Sequence, residues 1–467
     1  MTAFLDIRDL ARHDRQRRLY LCRWLIAVTA LTLVMFFLNY LDLEYPAYVI
    51  CTVLSLVAFA AELACILRAS ACRVTPLLLF LIALYMTRNS QLLLILFGVQ
   101  FDAHDLILLQ QHLKGAIVLT SVGNLWAGFA GLIVAAPVAD EARTACAGDE
   151  WDSPVRGRIL SIGATVTGLA AYAERILSAA RADGVMPYWR QLLSFVAFLF
   201  VPFGFALLVR YPKRRRGAAA AFTLAVYFLC SVFLGKLSEG IAGLFVLAVF
   251  FCCLWETQGK RRGETAVLGV ILLLLGLLSG LATYLREPSL YGSSFGTTLV
   301  TWIGSIGSGF LSLLVTVSIV PTSEPFLLGR EYAASWLTGI MPPELDPTGT
   351  LDRLTADTRL PSLWEEPYLR DFQGLVGFSA DMEGYLNFTW FGFVAVFLLC
   401  LGIGFLLDRY RRYRTDSVLP RYVACVMLWA ALTLPGRATA HAVRMFVWGV
   451  LAVGAILAVG AVRKKQS

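Results

Sequence analysis

An all-α polytopic membrane protein, with about twelve transmembrane helices and one large outer loop, is the fold class the sequence predicts. Composition is the first reason. The 467 residues are 58% hydrophobic and only 15% charged, with mean hydropathy +0.70; soluble domains are nearer half apolar and a quarter charged. The second reason is recurrence. Apolar runs of about twenty residues, enough to cross the hydrocarbon core as a helix, follow one another along the chain. The third is the placement of charge. The net charge of +8 sits in short basic runs between apolar segments, the positive-inside pattern. A nucleic-acid binder would spread that excess over a wet face, so no nucleic-acid partner is expected. The ten cysteines make no CxxC and no His/Cys ligand spacing, so no metal or cofactor is expected. The first apolar segment is too long for a secretory signal and lacks a small-residue cleavage site.

Taken in order, residues 1–23 carry six arginines, which predicts a cytoplasmic N-terminus. Apolar runs follow at 24–41, 46–67, 76–98, 113–136, 190–210, 218–235, 241–256, 265–284, 385–407, 418–435 and 441–461. The basic runs Arg68/Arg73, 210–216, 260–262, 409–414 and 463–465 should all face the cytoplasm. This requires one more crossing between 113–136 and 190–210. The only candidate is the weakly apolar 159–178, which contains Glu174 and Arg175; the alternative is an amphipathic helix on the cytoplasmic face. Both termini are then cytoplasmic. The chain divides into a nine-span bundle (1–284), a large loop (285–383) and a three-span bundle (384–467).

The loop holds five basic residues against twelve acids and no cysteine. It belongs outside, and packing rather than disulfides must hold it. Proline-rich turns at 321–325 and 341–347 predict an ordered, irregular loop. Within it, 298–320 is long enough to span, but one extra crossing would put 409–414 outside. It is therefore read as interfacial or re-entrant, and its Gly and Ser content suits burial in protein.

Ionisable residues inside a bundle are candidate functional groups. Arg88 and Asn89 interrupt the third span, either as a site or as an Arg paired with a nearby carboxylate. Lys236 and Glu239 read as a solvated pair on a short turn. Arg286 follows the ninth span, where snorkelling is the ordinary explanation; His104 and His112 read as surface residues. His441 lies beside Arg437 and Arg444 at an outer end, where arginines are out of pattern. Those arginines suit a pyrophosphate, because guanidinium forks match phosphate oxygens; a small violation of the charge rule is the alternative. Residues 380–392, ADMEGYLNFTWFG, set Asp381, Glu383 and Asn387 at the start of a span, as a water-line marker or as a site.

The sequence has no Walker-type loop and no HExxH. An outer loop rich in acids, with a few arginines, suits glycosyl transfer from a lipid pyrophosphate. A carboxylate would take the acceptor's proton, and arginines would stabilise the departing pyrophosphate.

The stretch GFSADMEGYLNFTWFG (377–392) resembles the segment near the end of the large periplasmic loop of Wzy-type O-antigen polymerases. The matching positions are Ser379, Glu383, Tyr385, Asn387, Phe388 and Gly392. Thr389 stands where the family often has Gly. Residues 320–343 are similar to the family's Val-Pro, Gly-basic-x-Tyr and Pro-turn stretch, at Pro321, Gly329, Arg330, Tyr332 and Pro342. Arg437 lies where the family tends to carry an Arg before its final span. The resemblance implies a GT-C-like fold with a large periplasmic loop, and an inverting, metal-independent glycosyltransferase in the bacterial inner membrane. It would join undecaprenyl-pyrophosphate-linked repeat units at the periplasmic face into an O-antigen or related capsule or exopolysaccharide, with a chain-length regulator and a flippase as partners besides membrane lipids. Glu383 is then the expected base, with Asp381, Glu331 and His441 as alternatives. Arg286, Arg330, Tyr332, Arg370, Tyr385, Asn387, Arg437 and His441 are the expected substrate residues. An O-antigen ligase would share this layout, but residues 285–383 hold no His. A flippase or transporter would line its spans with charge, and Arg88, the main mid-span charge, speaks for that. A non-catalytic scaffold has least support.

Overall fold

The computed structural model describes residues 7–41, 45–69, 74–96, 106–135, 154–179, 188–234, 237–254, 264–286, 308–321, 325–341, 345–346, 348–355, 379–410, 418–434 and 439–455. Among these there is no strand. The helices are α1 (Ile7–Tyr40), α2 (Tyr45–Ala69), α3 (Pro76–Leu96), α4 (Leu106–Ala135), α5 (Pro154–Ala179), α6 (Tyr188–Phe198), α7 (Phe200–Arg210), α8 (Arg215–Phe233), α9 (Leu237–Val249), α10 (Glu264–Arg286), α11 (Ser308–Ile319), α12 (Arg330–Ile340), α13 (Thr350–Thr355), α14 (Ala380–Phe388), α15 (Gly392–Gly404), α16 (Val418–Thr433) and α17 (Thr439–Arg444). Wider π turns prolong α9, α15 and α17, over Phe250–Leu254, Phe405–Arg409 and Met445–Ala452.

Six described stretches are long and apolar enough to cross a membrane: Arg15–Tyr40, Tyr48–Ala69, His112–Ala135, Tyr188–Arg210, Arg215–Phe233 and Ala380–Arg409. Shorter apolar helices accompany them at Leu237–Cys252, Val267–Ala282, Gly309–Ile319, Val418–Thr433 and Thr439–Ala455. Large apolar side chains stand exposed on α1, α2, α5, α10 and α15. In a polytopic chain such faces meet lipid.

Two expected runs are interrupted, each for a local reason. The run 190–210 breaks at Leu199 between α6 and α7. Pro202 has no N–H to give the Phe198 carbonyl, and the chain tightens there, with the Leu199 N–H on the Val196 carbonyl at 3.2 Å. The run 385–407 breaks at Thr389, so the straight helix begins at Gly392 and residues 380–388 form a helix of their own.

The helices sort into two compact units that do not follow chain order. The first is built from residues 1–145, 306–326 and 379–414. Its hub is α4, which packs on α1, α2, α3, α11 and α15; 89% of its apolar window is buried, against 17% for α1. Without a hydrophobic force between helices in lipid, close approach relies on small residues. Gly131 of α4 accordingly lies under Leu81 and Ile66. Aromatic contacts add to this: Trp126 lies 5.2 Å from Phe393 and donates its indole N–H to the Thr32 hydroxyl at 3.1 Å. The helix α11, from the segment read as interfacial or re-entrant, is buried in this unit against α3, α4 and α14.

The second unit comprises residues 146–305, 327–378 and 415–467. Here α7 is the centre: Phe200–Val209 are all buried, and α5, α8 and α16 pack on it. The weakly apolar α5 belongs to this unit, and its Arg175 is compensated. It pairs with Glu239 of α9 at 3.1 Å, donates to the Tyr227 hydroxyl at 2.9 Å, and lies 4.9 Å from that ring's centre. Glu239 is therefore a buried ion-pair partner and not the solvated turn residue expected; Lys236 lies outside the described residues.

Candidate active site

Residues 379–392 are shaped by two local rules. Ser379 is an N-cap: its hydroxyl accepts the Met382 N–H at 3.2 Å, and its carbonyl accepts the Glu383 N–H at 3.0 Å. Such a cap satisfies an otherwise orphaned donor. At the other end Thr389 takes φ 57°, ψ −138°, a conformation that favours glycine and is an outlier for a β-branched residue. That turn folds α14 back onto α15, and the backbones touch at Gly384 and Gly392; a Cβ on either would meet the other's main chain. The family-like Gly392 is thus needed for close approach. Thr389 occupies a glycine conformation without being glycine.

All eight residues Ala380–Asn387 are buried. Asp381 pairs with the mid-span Arg88, Oδ2 to Nε at 2.6 Å, with side chains only 8% and 4% exposed. Gly123 of α4 leaves room for this pair, since a Cβ there would press on the Asp381 carboxylate. Beside it, Asn89 donates to the Tyr85 carbonyl at 2.8 Å and accepts from the Asn124 amide at 3.0 Å. Glu383 is fully buried two residues from Asp381. Asn387 donates to the backbone carbonyl of Glu383 at 2.8 Å. Tyr385 donates its hydroxyl to the Val320 carbonyl at 3.1 Å, and its ring lies 5.6 Å from Phe326 and 6.2 Å from Trp390. So α14 carries Glu383, Tyr385 and Asn387 in the first unit, and α11 runs into the Val-Pro segment that Tyr385 holds.

The second unit holds Arg330, Tyr332 and His441. Arg330 is exposed at the start of α12, after Gly329 in the left-handed region at φ 88°. Glu331, another base candidate, is buried and accepts the Ser335 hydroxyl. Tyr332 packs edge-on to Trp336. On α17, against which α12 packs, His441 sits between Trp429 at 5.8 Å and Phe198 at 6.4 Å. Arg444 lies over Phe198 at 4.6 Å. Arg370, Arg437, His104 and the side chain of Arg286 lie outside the described residues. Among the described residues, no group of three or more His, Cys, Asp or Glu side chains converges to hold a metal ion.

A family model described as O-antigen polysaccharide polymerase Wzy matches residues 175–466, more than half of the chain. The chain belongs to the O-antigen polysaccharide polymerase Wzy family. No curated protein and no solved structure matches it. Membership makes it a membrane protein of O-antigen polysaccharide synthesis, from a family that acts on lipid-linked oligosaccharide repeat units. Asp381, Glu383, Tyr385 and Asn387 fall inside the matched Wzy region, whereas Arg88, Asn89 and Asn124 precede it.

Buried groups that the sequence reading passed over include Glu62 and Asn124. Glu62 of α2 is fully buried against Gly128 of α4, and Asn124 completes the amide pair with Asn89. A carboxylate inside the run 46–67 was the available signal for Glu62. Asn124 had none, because a single amide in an apolar helix gives no register.

Proposed function

We propose that this Wzy family member is an inverting glycosyltransferase that joins undecaprenyl-pyrophosphate-linked repeat units at the periplasmic face of the inner membrane, with Glu383 as general base. In the step, the acceptor's hydroxyl oxygen bonds to the donor's anomeric carbon as the carbon–oxygen bond to pyrophosphate breaks. The hydroxyl proton goes to Glu383, and the electron pair leaves on undecaprenyl pyrophosphate. Backside attack inverts the anomeric centre.

The observation that carries this reading is the unequal environment of the two acids of α14. Arg88 pairs with Asp381 at 2.6 Å, which commits that carboxyl to an ion pair inside the bundle. Glu383 holds the acid position of the Glu-x-Tyr-x-Asn-Phe match. Its burial suits the chemistry, because a glycosyl donor must be kept from water. Arg330 belongs to the second unit. It is an exposed cation at a helix N-terminus, where the dipole disfavours positive charge. With Arg286, Arg370, Arg437, Tyr332, Tyr385, Asn387 and His441, it is proposed to bind the glycan and its pyrophosphate. A chain-length regulator and a flippase are the proposed partners.

Deleting the gene tests this reading. Deletion cells should make surface glycan bearing a single repeat unit and accumulate the lipid-linked unit, and the wild-type gene should restore the ladder. A full ladder in the deletion strain contradicts it.

A further inference from the structure

A second feature of the first unit lies at the other end of α15. A groove of about 500 Å³ runs along that helix. Its sides are apolar, from Ile133 of α4 and from Leu401 and Phe405, and Arg17 and Arg409 also line it. Leu401, Phe405 and Arg409 are four residues apart in turn, which sets them along one face of the helix. Gly402 forms part of the floor, and a Cβ there would meet nothing within 4 Å. The guanidinium of Arg409 is held in place by donating to the Ile133 carbonyl at 3.0 Å. A π turn over Phe405–Arg409 delivers it, and such turns often mark functional positions. The neighbouring acid, Asp408, is fully buried and does not line the groove.

From Gly392, beside the Glu383 helix, to Arg409 is seventeen residues, or about 25 Å of helix. That is nearly the hydrocarbon thickness of about 30 Å. The two arginines therefore sit near the membrane surface opposite the α14 turn.

We infer that this groove binds an anionic glycerophospholipid of the cytoplasmic leaflet, one acyl chain lying along Leu401, Gly402 and Phe405 and the headgroup phosphate held by Arg17 and Arg409. Charge selects the occupant. Two guanidiniums beside an apolar trough match a phosphodiester with a tail, and guanidinium forks suit phosphate oxygens. A zwitterionic lipid brings a cation of its own to the same place. The site lies away from the α14 residues assigned to catalysis, and three of its residues, Arg17, Ile133 and Val134, precede the family-matched region.

The test uses the full-length protein in nanodiscs holding equal amounts of phosphatidylglycerol and phosphatidylcholine with identical acyl chains. Native mass spectrometry then reads the lipids it retains. The wild type should retain phosphatidylglycerol over phosphatidylcholine on the order of tenfold, a size that two arginines near a bilayer surface can supply. Gly402→Trp, which fills the trough from an open position, and Arg17→Gln should each bring the ratio towards one. Because Arg409 also holds Ile133, Arg409→Gln is read only beside those two. Equal retention in the wild type overturns the site, as does a preference unchanged in both Gly402→Trp and Arg17→Gln. Displacement by millimolar inorganic phosphate would show that the phosphate alone binds, and overturns the lipid assignment. Preferential retention of added undecaprenyl phosphate over phosphatidylglycerol overturns the choice of a glycerophospholipid.

Discussion

Arg88 and Asp381 come from distant parts of the chain and meet inside the protein at 2.6 Å. Arg88 was legible as a charge interrupting a span, and a carboxylate partner was one of its two readings. Which carboxylate was not legible, because the i, i+2 acids of α14 have the same chemistry on paper. Tertiary packing separates them, through the space that Gly123 leaves. Removing one member of a buried ion pair strands the other, at about 3 kcal/mol or more, whereas removing both can approach neutrality. Arg88→Met and Asp381→Asn should thus each lower the thermal midpoint of the purified protein clearly. Combining Arg88→Met with Asp381→Leu should recover much of the loss. Single variants as stable as the wild type would show that the pair contributes little.

The helix break at Thr389 belongs to the scale of elements. Apolar patterning predicted one helix from residue 385, because hydropathy is blind to a single φ. The family's Gly was the only hint of a turn, and Thr in its place hid it. A non-glycine residue held at such a φ costs on the order of 1 kcal/mol or more. Thr389→Gly should relieve that cost and raise the thermal midpoint by roughly 2 °C; a lower midpoint would contradict the strain. A second element, α13, is tied down by a carboxylate. Asp346 accepts the Leu351 N–H at 2.6 Å and the Thr348 hydroxyl at 2.9 Å. The Leu351 bond, foremost, holds its pKa below the ordinary carboxylate value. A depressed folded value stabilises the turn above the unfolded pKa, and the gain is lost as pH falls through the folded one. Amide exchange at Leu351, corrected for intrinsic chemistry, should therefore be slow at neutral pH and lose protection only below about pH 4. Equal protection at both extremes would remove Asp346 from the account.

For the whole molecule, the sequence reported the membrane character and the helical class well, since both follow from composition and run length. It could not report that residues 306–326 and 379–414 join the N-terminal helices in one unit while 327–378 joins another. That sorting depends on contacts such as Asp381 with Arg88, which hydropathy does not encode. The residues expected to act together are accordingly spread over both units, with Glu383 and Asn387 in one and Arg330 and His441 in the other. The central claim is that Glu383 takes the acceptor proton, and extension of lipid-linked repeat units by the reconstituted protein tests it most directly. Glu383→Gln keeps size and burial but removes the base. It should lower the extension rate by about 10²-fold or more, with thermal midpoint and lipid-linked substrate binding close to wild type. Wild-type extension by Glu383→Gln would contradict the account.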